Sequence, residues 1–235
     1  MKICTSNQSG SCVSCSKKKL SLLDELSEEE LNVLNKNRIV VNYKKGETIY
    51  KEYSKPIGLY CLNEGKVKLV KYSDKGNEVI IGLKRPVDFL DIENILAHQN
   101  YNHSAIALES SSICIITEES FFNVLKNNCD FAMKLLKNLA QQILDSNEWY
   151  LNITQKQIQS RIAQTLLKLQ DFYGISEDKF INVSLKRSDI AALSCITTAN
   201  VIRTLSAFEK DKIILCDKKR IKLLNMKKLN EIAQG

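Results

Sequence analysis

Nowhere in this 235-residue chain do apolar residues run for the ~18 positions that a membrane-spanning helix needs. The first residues, MKICTSNQSGSCVSC, are polar and cysteine-rich where a secretory leader would carry its apolar segment, which sets the expectation of a cytoplasmic protein with no membrane partner. Histidine is scarce, at two residues, and there is no phosphate-binding glycine loop, no HExxH pair and no nucleophile elbow. These absences leave no constellation for catalysis, so an enzyme is not expected. Eight cysteines are present, yet a reducing compartment would keep them as thiols, which excludes a disulfide framework as the default. Cys61, Cys129, Cys195 and Cys216 lie within apolar or helical patterns, where cysteine usually serves as a small buried hydrophobe.

What the chain does have is positive charge, and it is concentrated. Eleven basic and four acidic residues stand between Ser184 and Lys228, a surplus that accounts for the whole net charge of +7. A basic segment beside a neutral body points to a polyanion partner for the C-terminal part, with a merely solvated basic face as the alternative. The length and the 44% apolar content suit two modest domains, each with its own core.

The pattern changes character along the chain. LDELSEEELNVLNKN reads as a short helix with Ser27 as N-cap, Glu30 completing a capping box, and Leu31 and Leu34 on one face. From Arg38 to about Thr117, seven short β-branched or aromatic runs alternate with turn signals such as KKG, SKP, NEG and SDKGN, which predicts an antiparallel barrel or sandwich. Beyond Glu118 the period becomes helical. EESFFNVLKNN forms one helix, and no glycine or proline interrupts Asp130 to about Gln155, where Ala132, Leu135, Leu136, Leu139, Ile143, Ser146 and Tyr150 keep three- and four-residue spacings. Such a seam pairs with its twin in a homodimer, or packs on its own barrel.

Next come a helix ending at Gly174, FINVSL as a strand, KRSDIAALS and TTANVIRTLSAFEKDK as two helices, and IILCDKKRIKLL as a hairpin. Two short helices across a tight turn, followed by a basic hairpin, is the layout of a winged helix-turn-helix. The second helix starts from Thr197 as N-cap, with Thr198, Asn200 and Arg203 on one side and Val201, Leu205 and Phe208 on the inward side. Asparagine can read adenine and arginine guanine, so this face suits double-stranded DNA. Lys186, Arg187, Lys218, Lys219 and Arg220 are expected over the phosphate backbone.

These features together resemble the Crp/Fnr superfamily of bacterial transcription regulators. The most specific match is the DIA…VIRTLSAFEKDKII stretch, in which the family's recognition-helix arginine falls on Arg203. Two departures are Ala199, where the family often has glutamate, and Cys195, where it has a turn glycine. The resemblance implies an α+β fold: an N-terminal antiparallel β-roll of the cupin-like jelly-roll kind, a long dimerisation helix and a C-terminal winged helix-turn-helix. The expected division is 1–21 for the cysteine-containing segment, 22–129 for the sensor roll, 130–157 for the dimerisation helix and 158–235 for the DNA-binding domain. It also implies activation of transcription through RNA polymerase at a palindromic operator.

The signal is a separate question. Cyclic-nucleotide-binding relatives use a glutamate for the ribose and an arginine followed by Ser-Ala for the cyclic phosphate. The matching segment keeps Ser104 and Ala105 but places His103 at the arginine position and Ile92 at the glutamate position, with Glu93 adjacent. Without the forked cation, cyclic AMP is not the expected effector, and Ile92, Glu93, His103 and Ser104 mark the candidate pocket. Oxygen-sensing relatives hold a [4Fe–4S] cluster on N-terminal cysteines and one distant cysteine. Cys12 and Cys15 resemble the local pair and Cys114 the distant ligand, while Ser21 stands near the remaining position, so that Cys4 would have to substitute. The cofactor stays open: the same four thiols could hold a cluster or zinc, which would also suit an iron–sulfur or zinc redox protein as the alternative function. The incomplete pattern favours a tail that holds none.

Overall fold

The structure is a computed structural model that describes residues 22–74 and 76–235. The chain divides into two compact units, one running up to Lys71 and including Ile81–Gln142, the other joining Tyr72–Ile80 to Ile143–Gly235.

In the first unit a single 3₁₀ turn, Leu22–Glu25, leads into α1, Glu28–Asn35. The capping box forms as expected: the Ser27 hydroxyl accepts from the Glu30 amide at 3.2 Å and the Ser27 amide donates to the Glu30 carboxylate at 2.8 Å. Those bonds draw the Glu30 carboxyl below its ordinary range, and Leu31 and Leu34 are buried. Seven antiparallel strands follow: β1 Ile39–Tyr43, β2 Thr48–Tyr50, β3 Leu59–Glu64, β4 Val67–Tyr72, β5 Glu78–Lys84, β6 Ser104–Ala107 and β7 Ser111–Ile116, with a short helix, α2 Ile92–Leu96, between β5 and β6. They form two sheets, β1-β7-β3 and β2-β6-β4-β5. The long-range pairing of β1 with β7 and β2 with β6 makes this a roll rather than a run of hairpins.

Alternation along each strand splits the side chains between two cores. Val41, Tyr60, Leu62, Ile113 and Ile115 point into the roll, where they meet Tyr50, Leu69, Leu90 and Tyr101. Leu59 and Ile116 face the other way, against Leu31, Phe121, Phe131 and Leu135 of the helices. α3, Glu118–Asn127, is capped by Thr117, and the Asn128 side chain accepts from the Phe131 amide at 2.8 Å to start α4, Cys129–Gln155.

The second unit contains the rest of α4, α5 (Ile158–Tyr173), α6 (Arg187–Ser194), α7 (Thr198–Lys210), the β8–β9 hairpin (Ile214–Asp217 with Arg220–Leu223) and α8 (Met226–Gln234). Phe180–Leu185, expected as a strand, makes one isolated bridge, Ile175 with Ile181. Its apolar residues have another use: Phe180, Ile181 and Leu185 are buried as core plugs, and the Ile181 amide donates to the Ile221 carbonyl of the hairpin at 2.8 Å. Helix α8 has no counterpart in the sequence reading, because only Leu229 and Ala233 are buried in so short a segment.

Candidate nucleic-acid interface

Helices α6 and α7 are separated by three residues, Cys195–Thr197, and bend by 103°, within the range of a DNA-reading helix-turn-helix. Three contacts set that angle. The Asp189 carboxylate accepts from the Lys186 amide at 2.8 Å at the start of α6. At its end Cys195 takes the left-handed conformation, φ 52° and ψ 48°, in the place where glycine would be unstrained. Arg161 of α5 then donates to the carbonyls of Ser194 and Cys195, while Thr165 and Ser194 share a hydroxyl–hydroxyl bond of 2.9 Å. A cation on the last carbonyls of a helix satisfies acceptors that the helix itself leaves open.

Thr197 caps α7 by accepting from the Asn200 amide. Val201, Leu205 and Phe208 are buried, as the pattern predicts. Thr198 and Arg203 are exposed, whereas Asn200 is half-buried beside its cap. The exposed stripe also includes Ala199, Ile202 and Ser206, which the sequence reading did not assign, and Ile202 is 52% exposed. An apolar side chain on this face suits a thymine methyl.

Lys186, Lys218 and Lys219 are exposed, the two last at the tip of the wing, where Lys218 adopts φ 52°. Arg187 is different: its guanidinium is half-buried near Cys216, with Nη1 secluded from solvent and without a hydrogen bond. Burial pushes the Cys216 thiol up, against the pull of that guanidinium. Arg220, expected over the phosphate backbone, is partly exposed and already paired with carboxylates of its own domain. It pairs with Asp178, pairs with Asp217 at 2.8 Å, and lies 4.2 Å from the Phe180 ring centroid.

In the roll, His103 is fully buried. Its Nε2 lies 2.7 Å from the Tyr50 hydroxyl and its Nδ1 2.6 Å from the Asn102 amide oxygen. Burial holds the imidazole below its ordinary pKa, with the charge of Glu93 acting in the opposite direction. Tyr50 stacks on Tyr101 at 4.0 Å and meets Tyr60 edge-on at 5.5 Å. Asp91 is fully buried, and desolvation pushes its pKa up to about 7, with the Tyr60 backbone and the Tyr101 side chain pulling in the opposite direction. Ile92 does not join this group. It packs with Leu59 and Phe89 in the core beneath the helices, so Glu93 is the acidic neighbour that His103 feels. Ser104 is buried and its hydroxyl accepts from the Glu52 amide at 2.9 Å. The three tyrosines and Asp91 escaped the sequence reading, although inward parity on β2 and β3 marks Tyr50 and Tyr60.

Cys114 is buried on β7, directly opposite Cys61 on β3, and the Arg38 guanidinium donates to its sulfur at 3.1 Å. Cys4, Cys12 and Cys15 lie outside the described residues. Cys129 and Cys195 are exposed, and Cys61 and Cys216 are half-buried, so none of the four cysteines read as small core hydrophobes is fully enclosed. A [4Fe–4S] cluster takes four thiolates, and the described residues bring two together, Cys61 and Cys114. Among the described residues, no single helix is long and apolar enough to cross a membrane.

Comparison with known proteins agrees with this architecture. Residues 40–128 match the family model for the cyclic nucleotide-binding domain, and residues 160–232 match the Crp-like helix-turn-helix domain. The chain belongs to the Crp/Fnr superfamily of DNA-binding transcription regulators. It is 26% identical over 236 residues to the fumarate and nitrate reduction regulatory protein of Vibrio cholerae, covering 96% of this chain and 93% of that one. It is 25% identical over 230 residues to the transcriptional activator protein Anr of Pseudomonas protegens, covering 95% and 93%. The solved structure of FixK2 from Bradyrhizobium japonicum shares the fold, with a TM-score of 0.73 at 21% identity over 83% of this chain and 96% of that one. A Crp/Fnr-family regulator from Eubacterium rectale gives 0.71 at 19% identity, covering 91% and 98%.

Proposed function

We propose that this regulator binds a palindromic operator as a homodimer and activates transcription in response to a small-molecule or redox signal other than cyclic AMP. The observation that carries the reading is the solvent-facing stripe of α7, Thr198, Ala199, Ile202, Arg203 and Ser206, flanked by Lys186 and the wing lysines Lys218 and Lys219. Arg203 reads guanine, Ile202 contacts a thymine methyl, and the lysines hold phosphates. Arg187 and Asn200, both half-buried, take secondary parts.

The dimer reading rests on α4. Leu135 is buried within its own unit, and Leu139 packs there too, so the seam read from the sequence combines two faces. The outward face is a strict heptad line of Met133, Leu136, Ala140, Ile143, Asn147, Tyr150 and Thr154. Its apolar members Met133, Leu136, Ile143 and Tyr150 are 52–69% exposed. That pattern matches a parallel two-stranded coil, with Asn147 as the polar residue that fixes register. On this reading 22–129 is the sensing roll, 130–157 the dimerisation helix and 158–235 the DNA-binding domain, with RNA polymerase as the downstream partner. The activator name of the Pseudomonas relative supports the direction of control.

The test is a binding titration on operators selected from random duplexes. Arg203→Ala is expected to cost about 1–3 kcal/mol of specific affinity while leaving non-specific binding nearly unchanged. Unaltered discrimination in that variant would remove the assigned recognition face.

A further inference from the structure

The three-stranded sheet has a rung in which Val40, Cys114 and Cys61 lie side by side across β1, β7 and β3, with Phe89 bridged to the far side of Cys61. Residues directly opposite on antiparallel strands send their side chains to the same face, with Cα atoms about 4.5 or 5.5 Å apart depending on the type of rung. Both spacings fall within the range of roughly 4.4–6.8 Å that a disulfide spans. We propose that Cys61 and Cys114 form a reversible oxidation site, closing to a cross-strand disulfide in the presence of a peroxide. The inference rests on this rung and not on the DNA-binding reading.

The two thiols are differently equipped. Cys61 is half-buried at the edge of the helical core, within reach of a small oxidant. Cys114 is enclosed, and the Arg38 guanidinium at its sulfur is the kind of contact that stabilises a thiolate. In the first step the Cys61 thiolate attacks a peroxide oxygen. The O–O bond breaks, hydroxide leaves and is protonated to water, and Cys61 becomes a sulfenic acid. In the second step the Cys114 thiolate attacks that sulfur, the S–O bond breaks, and a second hydroxide leaves as water. Two thiols and one hydrogen peroxide give one disulfide and two waters; the sulfurs lose two electrons and the peroxide oxygens gain them. A small thiol reverses the change by thiol–disulfide exchange. The bond ties β3 to β7 at the centre of their ladder, so the chemistry is written directly into the sheet that supports the helices.

The experiment uses the full chain, reduced without oxygen and treated with stoichiometric hydrogen peroxide, after which remaining thiols are alkylated and the digest is examined by mass spectrometry. The expected product is a Cys61 peptide joined to a Cys114 peptide, lighter than the sum by two hydrogens and separated by dithiothreitol. Arg38→Gln should slow closure roughly tenfold while leaving Cys61 sulfenic acid formation, trapped with dimedone, unchanged. Recovery of both peptides singly alkylated, or of Cys114 joined instead to an N-terminal cysteine, would overturn the proposal. Dimedone trapping of Cys61 in a Cys114→Ser variant checks the first step without depending on the cross-link, and its absence would overturn the assigned order of attack.

Discussion

Replacing Asp91 by Asn tests the buried cluster of the roll through the pH dependence of stability. Asp91 is completely enclosed, with Tyr60 and Tyr101 beside it, the charge of Glu93 raising its pKa further and that of Lys84 lowering it. Its carboxyl titrates at about 7 in the folded protein against an ordinary 3.8. Between those values the folded chain keeps a proton that the unfolded chain has released, so stability falls as pH rises through that window. Linkage gives about 4 kcal/mol as an upper bound, and relaxation with water entry reduces it to on the order of 2–4 kcal/mol. His103 works in the opposite direction: its pKa is held below 6.5, so the unfolded chain binds the proton more tightly and stability rises toward that pH. Asp91→Asn removes the first effect and leaves the second, so the difference between the two proteins isolates the carboxyl. The assay is denaturant unfolding from pH 4.5 to 7.5 followed by near-ultraviolet circular dichroism, which reports on packed Tyr50, Tyr60 and Tyr101. The single Trp149 lies in the other unit and its fluorescence follows that transition separately. The variant should be increasingly favoured over the wild type as pH rises. A difference that stays constant across the range would refute the assignment.

Other outcomes follow from single contacts. Ile143→Lys places like charges across the proposed coil and should convert a micromolar dimer to monomer in sedimentation equilibrium, with the monomer mass diagnostic and an unchanged dimer mass contrary to the heptad reading. Arg161→Ala removes the donors to the Ser194 and Cys195 carbonyls, which should destabilise the second unit by about 1–2 kcal/mol, read from Trp149 unfolding. Ala199→Glu introduces an acceptor for cytosine N4 on the exposed stripe, so a selection from random duplexes should return an operator with a new cytosine at one half-site position.

The DNA-binding half was legible because its constraints are local. A cap at Thr197, a three-residue turn and an inward line of Val201, Leu205 and Phe208 follow from spacing alone, and each took its expected form. What spacing could not show was which cations are already committed. Arg220 is bound to Asp178, 42 residues earlier in the chain, and Arg187 turns toward Cys216. The long helix illustrates the same limit from the other side. Leu135 and Leu136 both satisfy a helical period, and only the presence of α1 and α3 decides that Leu135 is covered while Leu136 is 58% exposed. In the roll, alternation marks which residues point inward but not which inward residues meet. Tyr50, Tyr101 and His103 come from separate segments, and β2 reaches β6 across more than fifty residues of intervening chain.

That non-local cluster also bears on where a signal can enter. His103, which the sequence resemblance sets where cyclic-nucleotide-binding relatives carry a phosphate-binding arginine, has both ring nitrogens engaged, with Tyr50 and Asn102. A phosphate placed there would have to break both contacts, at roughly 1–3 kcal/mol for each buried polar group left unpaired, and would face a neutral imidazole instead of a fixed cation. The stacked Tyr50 and Tyr101 rings, 4.0 Å apart, would lose their packing as well. The opposite face of the β1-β7-β3 sheet carries no such penalty. There Arg38, Cys114 and Cys61 form a chemically reactive set on an element that packs directly against α1, α3 and the beginning of α4. A change at that rung lies on the sheet face that meets the helices, whereas a ligand in the interior must first dismantle the core that holds the roll together.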